Sequence, residues 1–423
     1  MFRHISSVIV VVLCALGISS CDRTGSYGGG GAAEQYKLVI HISPVNAVDG
    51  QAAVNVTEKI RTLRVIVLNE TELECNKLIT VDDPETVVAA RFRYDFALAT
   101  TKGPKEIYLI GNEASVTNIE YQSSGGTLPD GLPDNLKELV ENYEVGAASA
   151  EFRTVINSVY FAPDYTPDAL GDLYLPYVSY YNGIEAKEDD LTTVSMYIVP
   201  VATKFTFDFV NNRENEVEIN NITVAQTDSH HFLMAHVGSR DYKKDFGGTD
   251  YYWIDWLAKI SEELQKYGGY YDNSDFNTLF GWITDYAKPE TSELSSAVMI
   301  NSATSVRVPA RKGETAGELV LGPFYMPESR NDVTYKDSQN NDVTEQIYYL
   351  TLGLHDVTAS AERDPKFDDV VISNLKSLFR NMNVVIRVSM SQGDVAIYAE
   401  IADWTKRFAS GWIVEGNESP EIK

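Results

Sequence analysis

Short segments in which apolar and polar residues alternate recur along most of the chain, and this pattern restricts the fold more than any other sequence feature. Clear examples are Tyr36 to Ile42 and Lys204 to Phe209, and Leu63 to Leu68 and Asn383 to Met390 are further strand-like segments with more apolar residues. A period of two residues is typical of β-strands, and turn residues separate the segments roughly every ten residues. The sequence therefore predicts a mainly β protein built from antiparallel sheets.

The length of the chain bears on its domain organisation. With 423 residues it exceeds what one ordinary core holds, and domains of about 100 to 200 residues predict two. We assign residues 36–192 to an N-terminal β-sandwich and residues 193–423 to a C-terminal β-sandwich. The sequence contains no βαβ pattern and no internal repeat, so a parallel α/β fold and a solenoid are both disfavoured.

Two segments depart from the strand pattern. Asn135 precedes apolar residues at helical spacing up to Tyr143, which predicts a short helix with Asn135 near its start. Apolar residues recur with the same spacing from Trp253 to Leu264. We therefore predict a helical insertion near residues 242–286 of the second sandwich.

Two hairpins are predicted from neighbouring strand patterns. The segments 383–390 and 394–401 are separated by Gln392 and Gly393, which suit a tight turn. The segments 204–209 and 216–224 flank Asn211 and Asn212, and they also predict an antiparallel hairpin.

The first residues have the layout of a lipoprotein signal peptide, which we assign to residues 1–20. Arg3 precedes a nearly continuous apolar stretch that ends in Ile18-Ser19-Ser20 before Cys21. That stretch is shorter than the roughly 20 residues that span a bilayer, so a transmembrane anchor is disfavoured. We expect acyl chains on Cys21 to hold the mature protein on a membrane, with the glycine-rich residues 21–35 as a flexible tether.

Composition excludes some classes of partner and bond. The formal net charge of −26 disfavours nucleic acid, because phosphate backbones bind through clustered Lys and Arg. Once the signal is removed and Cys21 is lipidated, Cys75 is the remaining thiol, so no intramolecular disulfide is expected. We expect Cys75 to be a small buried residue.

The residues that usually carry chemistry do not form a recognisable catalytic or metal site. His230, His231 and His236 are clustered, but adjacent residues of a strand point to opposite faces and cannot both bind one ion. Residues 272–283 resemble a calcium loop but lack its glycine and its final glutamate. We therefore predict no catalytic residues, no metal, no cofactor and a protein that is not an enzyme.

Aromatic residues suggest an alternative function. Tyr251, Tyr252, Trp253 and Trp256 could stack on sugar rings, which would suit a surface glycan-binding lipoprotein. Residues at helical spacing more often pack in a core, and we expect that role here. A hydrolase is a further alternative, with no recognisable catalytic constellation to favour it.

Six stretches together resemble the fimbrillin-type subunits of the type V pili of Bacteroidales, and they span most of the chain. Their order along the chain carries more weight than any single stretch. They are Ile18 to Cys21, Val56 to Leu68, Lys105 to Asn112, Leu175-Pro176, Val199 to Phe207, and Arg380 to Ile401 followed by Trp404.

The resemblance implies two transthyretin-like β-sandwich domains and a structural role in a cell-surface filament, without an active site. In that family a lipidated precursor reaches the outer membrane and an arginine-specific protease removes its first strand. The C-terminal segment of another subunit then fills the vacated groove by β-strand addition. The implied partners are thus other pilus subunits, together with the outer membrane through the lipid.

Carried onto this chain, the resemblance makes Tyr36 to Ile42 the removable strand and residues 403–423 the donor segment. The donor would be centred on Asp403 to Val414. An ordinary edge strand is the alternative for this tail. The candidate donor anchors are Trp404, Phe408, Trp412 and Val414.

The positions of the arginines limit where an arginine-specific protease can cut between β-strand segments 36–42 and 63–68. No arginine or lysine occurs from Pro44 to Thr57, so Arg61 is the first candidate cleavage site and Arg64 the next. Arg64 is predicted within a strand, where a protease cannot bind extended backbone. We therefore expect either cleavage after Arg61 or no cleavage, and the second outcome suits an anchor or other accessory subunit, with a tip adhesin also open.

Overall fold

The protein is described here from a computed structural model, and the described part of the chain is mainly β, which confirms the predicted fold class. It covers residues 36–44, 58, 60–80, 94–122, 127–162, 174–186, 192–234, 243–246, 249–252, 294–329, 332–336, 339–358, 366–372, 375, 378–392 and 394–402.

Before residue 201, the described residues form nine strands and two α-helices. The strands are β1 (Tyr36–Pro44), β2 (Thr62–Leu68), β3 (Leu73–Thr80), β4 (Tyr94–Thr100), β5 (Gly103–Gly111), β6 (Ile119–Tyr121), β7 (Val159–Phe161), β8 (Tyr177–Ala186) and β9 (Thr192–Pro200). The helices are α1 (Leu136–Glu141) and α2 (Ser149–Ile156), and a short 3-10 helix spans Glu113–Ser115.

Fourteen strands follow within the described residues. They are β10 (Thr203–Asn211), β11 (Val217–Asp228), β12 (His231–Phe232), β13 (Lys243–Phe246), β14 (Thr249–Tyr252), β15 (Leu294–Ile300), β16 (Val306–Val308), β17 (Gly317–Met326), β18 (Asp332–Lys336), β19 (Asp342–Gln346), β20 (Tyr349–Asp356), β21 (Lys366–Val371), β22 (Asn383–Ser391) and β23 (Asp394–Ala402).

The first nine strands contribute most of their residues to one seven-stranded sheet, in the order β3-β2-β5-β8-β9-β1-β4. Its described pairs are antiparallel except β1 and β9, which run parallel. The strands β6 and β7 form a separate three-stranded sheet with β12.

The later strands form two further sheets. One has four strands in the order β17-β10-β22-β23, with β10 and β22 parallel. The other has five strands, in the order β15-β11-β20-β21 with β16 added on β11. Two separate hairpins, β13-β14 and β18-β19, complete the described strands.

The central strands of the seven-stranded sheet are buried on both faces. Leu63, Val65 and Val67 of β2 point into one apolar cluster, whereas Ile66 and Leu68 point into another. This explains why β2 reads as a nearly continuous apolar run, which is typical of a strand covered on both sides. The sheet therefore has a core on each face.

The larger cluster, which we call the main core, joins the seven-stranded sheet to both later sheets. Phe205, Phe207 and Phe209 of β10 point into it and are 0% exposed. On the opposite face of the seven-stranded sheet, α1 and α2 cover a smaller cluster, the helix-side core. There the Phe152 ring of α2 packs edge-on against Tyr108 at 5.3 Å between ring centroids.

The second half of the chain also contributes to the helix-side core. Strand β12 pairs with β7, and Leu233 and Met234, directly after β12, are buried in that core. Arg380 donates hydrogen bonds to the carbonyls of Phe232 and Leu233 and forms a buried ion pair with Glu328. The pairing of β12 with β7 thus joins the two halves of the chain, and Arg380 holds the end of β12 in place from within the second half.

Two sequence predictions for local structure are confirmed. Helix α1 begins after Asn135, whose side-chain oxygen accepts a hydrogen bond from the Glu138 backbone N–H at 2.9 Å. Strands β22 and β23 pair antiparallel with Ser391 opposite Asp394, which confirms the predicted hairpin between these segments. Helix α2 was not predicted, although its buried residues Phe152, Val155 and Ile156 have helical spacing.

The predicted hairpin between residues 204–209 and 216–224 is wrong. Strand β10 pairs with β17 and β22, whereas β11 pairs with β15, β16 and β20 in the other sheet. The corner between them is fixed by Asn211, whose amide donates to the carbonyls of Asn215 and Pro309, both at 2.9 Å. The two strands alternate in the same way whether the turn between them forms a hairpin or carries the chain from one sheet to another, so the pattern did not distinguish the two cases.

The start of the predicted helical insertion is also wrong. Residues 243–246 and 249–252 form the β13-β14 hairpin, with Phe246 opposite Thr249. The pair Gly247-Gly248 is a sequence signal for a two-residue hairpin turn. Sequence reasoning missed this signal because the helical periodicity further along the chain carried more weight. Residues 253–293, where that periodicity lies, are outside the described residues.

The division into two domains stays a prediction. The boundary proposed between residues 192 and 193 falls at the start of β9, which pairs with β1 and β8 in the seven-stranded sheet. The sheets change between Pro200, the last residue of β9, and Thr203, the first of β10.

Replacing Arg380 by Met is expected to lower the free energy of unfolding by about 3 to 5 kcal/mol. The change leaves Glu328, 2% exposed, as a buried carboxylate without its cation. Urea denaturation measures the loss. Arg311→Met is the matched control, because its pair with Glu214 is exposed, and it should cost less than about 1 kcal/mol. Equal losses in the two variants would contradict a stabilising role for the buried ion pair of Arg380.

Candidate functional site

The first strand occupies an interior position in the seven-stranded sheet. Strand β1 pairs parallel with β9 on one side and antiparallel with β4 on the other. At its centre, Ile40 lies opposite Val194 of β9 and Phe96 of β4. A segment at the start of the chain is thus inserted between two strands that follow it by about 50 to 160 residues.

One face of β1 is apolar and buried. Tyr36 is 6% exposed, and Leu38, Ile40 and Ile42 are each 0% exposed within the main core. Burying a Leu or Ile side chain contributes roughly 1.5 to 3 kcal/mol, so the three aliphatic side chains together contribute on the order of 5 to 9 kcal/mol. Burial of these side chains therefore contributes much of the free energy that keeps β1 in the sheet.

Strand β4 depends on β1 for its place in the sheet. Among the described strands, β4 pairs with β1 alone and lies at the sheet edge. Removing β1 would leave a slot between β9 and β4 about 10 Å wide, since neighbouring strands lie about 4.8 Å apart. The slot would present the unpaired backbone groups of both strands and the apolar surface that Leu38, Ile40 and Ile42 now cover.

The second candidate cleavage site, Arg64, is buried in a central strand. It lies in β2 between β3 and β5, and it is 4% exposed. Its guanidinium donates to both carboxylate oxygens of Glu113 and, at 2.7 Å, to the side-chain oxygen of Asn76. The structure thus places Arg64 where a protease cannot bind its backbone in extended form.

The first candidate, Arg61, directly precedes β2 and is half-buried. Its backbone N–H donates to the side-chain oxygen of Asn112 at 2.7 Å. Its guanidinium lies 5.0 Å from the centroid of the Tyr174 ring. A cut after Arg61 would separate β1 from the rest of the chain, because β2 begins at Thr62.

The other predicted site residues lie outside the described residues. These are Cys21, at the lipidation site, and the donor anchors Trp404, Phe408, Trp412 and Val414. The described chain ends at Ala402 with β23, an edge strand of the four-stranded sheet in the described topology. Tyr251 and Tyr252 lie in β14, whereas Trp253 and Trp256 are outside the described residues.

The histidine cluster has a packing role where it is described. His231 is 1% exposed and stacks on Phe161 at 5.2 Å between ring centroids, while His230 contacts Tyr160 edge-on. Burial, followed by the positive charge of Arg380, lowers the pKa of His231 to about 3. His236 is outside the described residues, and within them no three His, Cys, Asp or Glu side chains group around one point.

Sequence reasoning missed Glu58, which contacts residues far along the chain. Its carboxylate pairs with Lys204 at 3.1 Å, and its backbone carbonyl accepts a hydrogen bond from the Tyr177 hydroxyl at 2.7 Å. Complete burial raises the pKa of Tyr177 well above its ordinary value, so its hydroxyl remains a donor. Nothing in the local sequence indicates a pair separated by 146 positions.

No helix in the described part of the chain is long and apolar enough to cross a membrane. No family model matches the sequence, and no curated protein matches it.

Solved structures that the chain resembles are fimbrial proteins of Bacteroidales. The tip fimbrial protein Mfa3 from Porphyromonas gingivalis, with a C-terminal truncation, has a TM-score of 0.46 and 11% identity, covering 88% of this chain and 100% of that one. A fimbrial assembly protein from Parabacteroides distasonis has a TM-score of 0.38 and 10% identity, covering 88% and 99%. A fimbrilin (fimA) from P. gingivalis has a TM-score of 0.39 and 10% identity, covering 87% and 98%.

Replacing Ile40 by Ala is expected to lower the free energy of unfolding by about 3 kcal/mol, because it leaves a cavity at the centre of the β1 contact. Denaturant unfolding measures this loss. Lys37→Ala on the exposed face of the same strand is the control and should change stability by less than about 0.5 kcal/mol. A loss for Ile40→Ala no larger than the control would show that β1 is not packed as described.

The low pKa of His231 predicts a dependence of stability on pH. Below the unfolded pKa of about 6.5 the unfolded chain binds a proton that the folded chain does not bind until about pH 3. Stability is therefore lost as pH falls through this window, by about 2 kcal/mol from this group between pH 7 and pH 5. Urea denaturation of His231→Gln at both values should lack this part of the loss, and an identical loss would contradict it.

Proposed function

We propose that this chain is a structural subunit of a cell-surface pilus and that it assembles by exchanging β1 for a strand of another subunit. The observation that carries the proposal is the place of β1 inside a sheet, between two strands that come much later in the sequence. Its buried aliphatic side chains and its two strand neighbours define a groove for one extended segment. Strand addition to such a groove combines backbone hydrogen bonds with pockets for alternate side chains.

The C-terminal segment has the chemistry that this groove needs. Trp404, Phe408, Trp412 and Val414 are separated by even numbers of residues, so in an extended segment they lie on one face. The buried residues of β1 also recur at even spacing, from Tyr36 to Ile42. We infer that residues 403–423 of one subunit supply the strand that replaces β1 of the next.

The lipid on Cys21 fits the same scheme. Export as a lipoprotein would bring the chain to the outer membrane with β1 filling its own groove. A cut after Arg61 would then remove β1 and the lipid together and leave the groove open. In this case the acyl chains serve only to bring the chain to the membrane. After the cut, this subunit no longer attaches the filament to the membrane.

The contacts of the candidate cleavage sites favour a second role, that of an anchor subunit. Arg64 is buried in β2, and the backbone N–H of Arg61 is bonded to Asn112. Resistance to cleavage would keep both β1 and the lipid, so that the chain would hold a filament at the membrane through its own C-terminal segment.

Treatment of the purified full chain with an arginine-specific protease tests the exchange. A chain cut after Arg61 is expected to form ladders on a denaturing gel, because strand-exchanged contacts bury a complete strand. The control is the same chain ending at Ala402, which should be cut equally well and yet remain monomeric.

Two other outcomes have clear meanings. A cut chain with its tail intact that stays monomeric would contradict assembly by exchange of β1. A chain that is not cut after Arg61 would exclude the stalk role and favour the anchor.

A further inference from the structure

The segment that joins β1 to β2 is tied to both large parts of the structure at one residue. The Glu58 carboxylate accepts hydrogen bonds from Lys204 Nζ at 3.1 Å and from the Tyr325 hydroxyl at 3.0 Å. Lys204 lies in β10 and Tyr325 in β17, which are neighbours in the four-stranded sheet. The Glu58 carbonyl is held from the seven-stranded sheet by Tyr177 of β8.

These contacts are buried. Glu58 is 6% exposed and Lys204 is 7% exposed, so little water is present to replace either partner. Two positions further, Ile60 is 2% exposed and belongs to the main core. Removing one partner of a buried ion pair is strongly unfavourable, because the remaining charge is left in a poorly solvated site.

Arg61 is fixed immediately after this anchor. Its N–H and that of Thr62 both point at the side-chain oxygen of Asn112, at 2.7 and 3.4 Å, and the Asn112 N–H donates to the Thr62 carbonyl. A protease must hold several residues on each side of the bond it cuts in an extended, accessible form. The bond after Arg61 meets this need only when the segment leaves its place.

We propose that Glu58 and residues 60–62 form a latch, in which the Glu58–Lys204 ion pair shields the bond after Arg61 and so controls the release of β1. This inference rests on the proposed function, since it concerns when β1 is freed for exchange. When opening is fast relative to cutting, the cleavage rate follows the population of the open form. Weakening the ion pair raises that population without touching Arg61 itself.

Cleavage kinetics of the full chain test the latch. Glu58→Gln and Lys204→Met are expected to raise the rate of cutting after Arg61 by about tenfold or more, because each removes one charge of the buried pair. The rate is measured with an arginine-specific protease, well below the unfolding temperature, from the mass of the product that begins at Thr62.

The matched control is Lys105→Met. Lys105 forms an equally buried ion pair with Glu74, at 3.2 Å, in β5 and away from the latch. Its loss destabilises the fold without opening the latch, so the rate of cutting after Arg61 should stay close to that of the unchanged chain. An equal rise in Lys105→Met and Lys204→Met would show that cutting follows general unfolding, and would overturn the latch.

A milder variant keeps the test decisive if Lys204→Met does not fold. Tyr325→Phe removes one hydroxyl donor to Glu58 and keeps the ion pair, so a rise of about threefold is expected. Unchanged rates in both Glu58→Gln and Tyr325→Phe would overturn the proposal.

Failure of the latch and failure of the proposed function give different results. A latch variant that is cut quickly but forms no ladder contradicts strand exchange and supports the latch. A variant that is cut at the unchanged rate but still forms ladders supports strand exchange and overturns the latch.

Discussion

The strands β2, β5 and β8 of the seven-stranded sheet bury apolar side chains on both faces, and the rest of the structure depends on covering both. The main core covers one face with the four- and five-stranded sheets, and the helix-side core covers the other with α1, α2 and Leu233 and Met234. A sheet of this kind is stable only when both faces are covered. Because β12 and its flanking residues come from the second half of the chain, that half contributes to both layers.

Strand β1 differs from the other interior strands of this sheet in how the chain reaches it. It contributes apolar side chains to the main core, and its strand neighbours β4 and β9 follow it in the sequence by about 50 to 160 residues. Burial and strand pairing therefore fix its place in the sheet. The contacts of Glu58 and Asn112 fasten the segment before β2 close to Arg61, so that retention of β1 and protection of the cleavage site have the same physical basis.

Local sequence patterns predicted the positions of the strands better than they predicted which strands pair with each other. The alternation of residues 36–42 and the apolar run of 63–68 identified β1 and β2, because each strand must present apolar side chains to a core. Neither pattern shows that β1 runs parallel to β9, since alternation is the same whichever strand lies alongside. The wrong hairpin between β10 and β11 has this origin, because Asn211 turns the chain from one sheet into the other.

The sequence by itself determined that this chain is mainly β, where most of its strands lie and which segments resemble pilus subunits. Those properties follow from side-chain polarity over a few neighbouring residues. Only the tertiary structure decided that β1 lies between β9 and β4, that Arg64 is buried against Glu113 and that Glu58 pairs with Lys204. The two ion pairs join residues 49 and 146 positions apart. A buried charge needs a partner of opposite charge, and the fold can bring that partner from a distant part of the sequence.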